Sequence, residues 1–259
     1  MPSIIDLAKF EYTQPAFFYF MLYLAIPLAL VAIYFSRPGK LAQVRKLPLM
    51  THMEEVIGSC AERGLPFIWS YTRDVLQPRW GALEVTYYGR MFKHISRLAG
   101  NASVPTYFIC DNPQVMMIMQ DYSREGFVSS AHPEIYDARN YYFVSGLLAF
   151  YSETVLLMQS HNSGGVVNSG GFLSNSGPIF EEAYRMGAIS IALGTGGGQA
   201  GPAFMADYQK LSDEHLACGA WADPNPKSGA AVMGSDVAKI LSAALLIALI
   251  VMAAAGVKF

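Results

Sequence analysis

The sequence predicts an α/β domain with an open, mainly parallel sheet of four to five strands flanked by helices, set between an N-terminal and a C-terminal transmembrane helix. Three observations carry this. A long uncharged apolar run stands near each end of the chain, Lys and Arg flank both runs on the side facing the middle, and the middle alternates short apolar runs with longer segments of helical periodicity.

The first run, "AFFYFMLYLAIPLALVAIYF", passes 20 residues without a charge, close to the ~20 needed to cross a hydrocarbon core of roughly 30 Å. Pro27 is expected to kink this helix. The second run, "ILSAALLIALIVMAAAGV", begins at Ile240 and is shorter. The first run is longer than the apolar core of a signal peptide, its leading segment carries only Lys9 against Asp6 and Glu11, and no small-residue cleavage site follows. An uncleaved anchor is therefore expected. Arg37, Lys40, Arg45 and Lys46 follow the first span and Lys239 precedes the second, which places the middle of the chain in the cytoplasm.

The expected organisation is an extracytoplasmic N-terminus at 1–15, a transmembrane helix at 16–36, a basic linker at 37–50, a cytoplasmic α/β domain at 51–222, a linker at 223–239 and a transmembrane helix at 240–257. The expected location is the cell (inner) membrane. Three cysteines without CxxC spacing suit reduced thiols in that compartment. With 15% charged residues and a net charge of -2, the chain lacks the dense basic stripe that nucleic acid requires.

Within the domain, helical patterns at 53–64, 82–100 and 113–126 alternate with apolar runs at 65–71 and 104–110, which read as the first two strands. In the second of these helices Val85, Tyr88, Phe92, Ile95 and Leu98 share one face, leaving Glu84, Arg90, Lys93 and Arg97 on the other. Farther on, "TVLLMQS" (154–160) is taken as the third strand and "AISIAL" (188–193) as the fourth, with helices near 138–151, 178–187 and 202–216. Such an order of elements is Rossmann-like.

Parallel strands all end at one edge, where ligands bind in the crevice outside their carboxyl ends. The segments predicted there nominate Asp111 and Asn112 after the second strand, His161, Asn162 and Ser163 after the third, and Gly194, Thr195, Gly196, Gly198 and Gln199 after the fourth. Asn-Ser-Gly recurs at Asn162, Asn168 and Asn175. The first copy falls just past the predicted third strand and is the one expected to meet a ligand; the other two read as turns, and Ser-Asn-Ser before Pro178 suits a helix start. Gly196 to Gly201 also fits G-x-G-x-x-G, but it closes the domain instead of opening it. The acidic residue about twenty positions on would be Asp223, in the exit linker.

No catalytic residues and no metal ligands are assigned. His161 lies beside Ser160 and Ser163, but there is no G-x-S-x-G elbow, and the five histidines form no H-x-x-x-H pair. The sequence names no cofactor.

Over "GPIFEEAYRMGAISIALGTGGGQAGPAFMADYQKLSDEHLACGAW", and at "MEEVIGSCAERGLP" nearer the start, the chain resembles an uncharacterised family of prokaryotic two-span membrane proteins, a domain of unknown function. The resemblance implies a membrane protein and carries no catalytic residues. Two functions are then expected. One is an oligomeric scaffold or structural subunit of a membrane complex, with the lipid bilayer and further copies of the chain or other subunits as partners, joined through sheet edges and aromatic clusters such as Tyr87-Tyr88 and Tyr141-Tyr142-Phe143. The alternative is a small-molecule binding or enzymatic domain using the loops at the carboxyl ends of the strands, with a nucleotide as one candidate ligand.

Overall fold

The computed structural model describes residues 47–72, 81–170, 176–194, 204–210, 214–225 and scattered positions from 228 to 247. Contacts divide the chain into two units, of which Arg45–Asp223 is one. Among the described residues this unit is built in the order α1 (Pro48–Arg63), β1 (Phe67–Thr72), α2 (Gly81–Asn101), β2 (Thr106–Cys110), α3 (Pro113–Val128), β3 (Tyr141–Phe143), α4 (Leu147–His161), β4 (Gly165–Gly170), α5 (Gly177–Met186), β5 (Ile189–Gly194), β6 (Tyr208–Lys210) and α6 (Glu214–Ala222).

The six strands form one sheet in the order β3-β2-β1-β4-β5-β6, and every pairing is parallel. This is the doubly wound arrangement in which the chain fills one half of the sheet, returns to its centre and fills the other. The reversal falls between β1 and β4. Strand β1 therefore has neighbours on both sides and helices on both faces, and all six of its residues are buried, which is why it reads as a near-continuous apolar run.

Alternation along the strands divides the core. Phe67, Trp69 and Tyr71 of β1, with Phe108, Val167 and Leu193, meet α1, α2, α3 and α6 on one face. Ile68, Ile109 and Val166 meet α4 and α5 on the other, through Phe150, Met158, Ile179 and Ala183. Buried cross-strand bonds reinforce the centre: Trp69 Nε1 donates to Ser169 Oγ at 2.7 Å, and Ser169 Oγ donates to the Ser70 carbonyl at 3.0 Å. Helices α2 and α3 approach closely at Gly126, where a Cβ would collide with the Lys93 carbonyl oxygen.

The sheet is parallel and Rossmann-like as expected, but it has six strands, and the middle of the chain departs from the reading of the sequence. Residues 154–160 belong to helix α4, and the strand comes after it, at Gly165–Gly170. The Leu- and Met-rich "TVLLMQS" suits a helix, whereas "GVV" brings β-branched residues to a buried central strand. The helix predicted near 138–151 is instead a 3₁₀ turn at Ala138–Asn140, strand β3 and the start of α4. The helix predicted at 202–216 contains strand β6 before α6 begins.

No helix among the described residues is long and apolar enough to cross a membrane. The predicted span at 16–36 lies wholly outside the described residues, as does 240–257 apart from Ile240, Ala243 and Ile247.

Candidate functional site

At the β1/β4 reversal the helices that follow these two strands, α2 and α5, pack on opposite faces of the sheet, the arrangement that in this topology leaves a crevice at the carboxyl edge. On the α4/α5 face this edge is polar. Ser70 and Asn168 sit opposite each other, as do Thr72 and Gly170. Ser70 Oγ lies 3.1 Å from both Asn168 Oδ1 and the Val167 carbonyl oxygen. Thr72 Oγ1 donates to Asp111 Oδ2 at 2.8 Å, joining the ends of β1 and β2. Gly170 closes β4 at φ +97°, and its Cα lies so near the Thr72 carbonyl that a Cβ would collide with it. Asn168 Nδ2 and Ser176 Oγ, at the start of α5, are fully buried and make no hydrogen bond.

On the opposite face, Lys210 at the end of β6 is fully buried. Its Nζ donates to the Gly194 carbonyl at 3.2 Å, to His215 Nδ1 at 3.3 Å and to Tyr88 Oη at 3.4 Å. Tyr88 in turn donates to the Leu193 carbonyl at 2.7 Å. These contacts fasten the end of β5 to α2 and α6.

The residues nominated from the sequence separate into three groups. Asp111 and Gly194 stand at the carboxyl edge, with Gly194 contributing its carbonyl to Lys210. Asn112 stands there too, but its Oδ1 accepts from Gln114 N and Val115 N at 2.8 and 3.2 Å and so caps α3. His161, Asn162 and Ser163 lie at the opposite, amino edge, because the segment before them is helix. His161 ends α4 and stacks on Tyr107, Asn162 terminates the helix in the left-handed conformation at φ +50°, and Ser163 Oγ donates to the Gly165 carbonyl at 2.8 Å. Thr195, Gly196, Gly198 and Gln199 lie outside the described residues.

Ser70, Asn168, Ser176 and Lys210 were missed. Asn168 and Ser176 belong to the repeats read as turns. The signal that would have found Asn168 is the Val166-Val167 pair, which marks a strand whose last residues are Asn168-Ser169-Gly170, so that the second Asn-Ser-Gly and not the first reaches a carboxyl end.

Among the described residues no cluster of three or more His, Cys, Asp or Glu could hold a metal ion. Burial pushes the thiols of Cys60, Cys110 and Cys218 up to about 12, against about 8.5 for a free thiol. Iodoacetamide near neutral pH is expected to leave all three unlabelled in the native chain and to label all three after denaturation. The linkage to stability follows from the same shift. Between about 8.5 and 12 the unfolded thiols have lost protons that the folded ones keep, so stability falls as pH rises through that window. A denaturation midpoint that stays level over this range would contradict it.

No curated protein and no solved structure matches the chain. Over residues 6–259 it matches DUF6754, a domain of unknown function, and the chain belongs to that family.

Proposed function

We propose that this chain is a membrane-anchored domain that binds a small polar molecule in the crevice between β1 and β4. The observation that carries the reading is the gathering of Ser70, Thr72, Asp111 and Asn168 at the point where the strand order reverses, the position at which this topology takes ligands. A core serving stability alone would not leave Asn168 Nδ2 buried without a partner, since such a group costs about 1–3 kcal/mol. The anchors are the apolar runs at 16–36 and 240–257, with the domain on the cytoplasmic side of the inner membrane. Ile240 and Ile247, seven apart on one helical face, are both exposed, as suits side chains that meet lipid.

Native mass spectrometry of the full chain, extracted gently from its own membrane, tests the reading. The expected spectrum shows a reproducible small added mass on each 28.3 kDa subunit, lost when Thr72→Val and Asp111→Asn are combined. A subunit without added mass, whose melting temperature no nucleotide, sugar phosphate or amino acid raises, would overturn it.

A second reading, the oligomeric scaffold, is favoured by exposed apolar side chains on the α4/α5 face: Leu148, Leu156 and Tyr184 are 71%, 54% and 85% exposed. The sheet edges offer little to such an assembly, because β3 and β6 are three residues each. The aromatic clusters offer less than their number suggests, with Tyr87, Tyr88 and Tyr141 buried in the core. Dissociation of a discrete oligomer by Leu148→Glu with Tyr184→Glu would support the scaffold; an unchanged subunit number would remove this face from it.

A further inference from the structure

We infer that the crevice recognises an oxyanion, a phosphate or carboxylate group of its ligand, held between Asn168 and the N-terminus of α5. The inference rests on the crevice reading and names the chemical group it selects.

The placement follows from the sheet register. Val166 and Asn168 point to the same face of β4, and Val166 packs in the same cluster as Ile179 and Ala183 of α5. Asn168 lies two residues farther toward the carboxyl edge, about 6.6 Å at the usual strand rise. Helix α5 starts from that edge, and Ser176 precedes Ile179 by three residues, about 4.5 Å along the axis. Asn168 and Ser176 therefore both stand nearer the carboxyl edge than Val166 and Ile179, which share one core cluster.

Both offer donors that nothing takes up. Asn168 Oδ1 lies 3.1 Å from Ser70 Oγ, and Asn168 Nδ2 is buried without a hydrogen-bond partner. Ser176 already has helical backbone angles, φ -75° and ψ -9°, and its hydroxyl makes no capping bond. The first turn of a helix also has N–H groups without intrahelical partners and the positive end of the helix dipole. Pro178 removes one of those N–H groups, while Gly177 brings its own without a side chain over it. An unused amide, an unused hydroxyl and a helix N-terminus on one side of the crevice form a set of donors, and such a set selects an acceptor of negative charge. Asp111 lies two strands away, about 10 Å from β4, so its carboxylate need not meet the anion and can accept from hydroxyl or ammonium groups elsewhere on the same ligand.

The test titrates inorganic phosphate, and separately acetate, into the full chain in detergent, with binding followed by calorimetry. Saturable binding of at least one anion is expected, and the tighter of the two distinguishes a phosphate-bearing from a carboxylate-bearing ligand. Ser176→Ala is expected to weaken it about tenfold, the loss of one charge-assisted hydrogen bond. Asn168→Asp, which keeps shape but replaces the amide donors with a negative charge, is expected to abolish it while circular dichroism stays unchanged. If Asn168→Asp fails to fold, Ser176→Ala alone decides. No saturable binding, or equal affinities in wild type and Ser176→Ala, overturns the inference. If the native spectrum still shows a small added mass in that case, the crevice reading stands and only the anion falls. If no added mass is found either, both fall.

Discussion

Gly170→Ala is expected to destabilise the domain by about 3–5 kcal/mol, a large share of the 5–15 kcal/mol that holds a typical domain together. Two costs add. At φ +97° a Cβ is strained by about 1–2 kcal/mol, and here it also collides with the Thr72 carbonyl oxygen, the backbone of a central strand that cannot retreat without breaking its ladder. A domain of this size then melts roughly 10 °C lower, or more. Gly146 is the control: its φ is also +97°, but nothing lies within 4 Å of its Cβ position. Gly146→Ala should cost only the strain. Equal denaturation midpoints for the two variants would mean that the close approach of β4 to β1 at the crevice is wrong.

Lys210→Ala is the second large effect, with an expected loss of about 3 kcal/mol. The substitution removes a fully buried stem and leaves the Gly194 carbonyl, His215 Nδ1 and Tyr88 Oη short of a donor. Lys210→Met keeps most of the stem and should lose about 1–2 kcal/mol less. Because the ammonium ties the end of β5 to α2 and α6, amide exchange should accelerate first in β6 and α6, with β1 and β4 protected as before. A loss below about 1 kcal/mol, or exchange that rises evenly through the sheet, would show that Lys210 does not fasten this edge.

The half of the fold before β3 was legible because its signals are local and agree with one another. In α2 the apolar positions recur at helical spacing, and Tyr88, Phe92 and Ile95 are buried as that spacing requires. Strands β1 and β2 are β-branched and aromatic runs bounded by Gly64-Leu65 and Ser103 on one side and polar residues on the other. Strand β3 was not legible, because three residues carry too little periodicity and Tyr141-Tyr142-Phe143 fits a helix equally well. The exchange of helix for strand at 154–170 had a larger consequence. It moved His161, Asn162 and Ser163 to the amino edge and brought Asn168, read as a turn, to the carboxyl edge.

The sequence by itself determined the alternation of helix and strand, the parallel sheet that alternation demands, and Asp111 at a carboxyl end, since each depends on periodicity and on polar residues that follow an apolar run. Only the tertiary structure decided which strand lies beside which. That β4 returns to pair with β1 is a choice among crossovers whose local sequences look alike. It is made by burial on both faces of the central strands: Val166 in the core cluster shared with α5 and Val167 in the one shared with α1 and α2, with Gly170 giving the backbone room to meet Thr72. Asn168 comes to the carboxyl edge beside Ser70 for that reason, a long-range outcome of packing that no window along the chain contains.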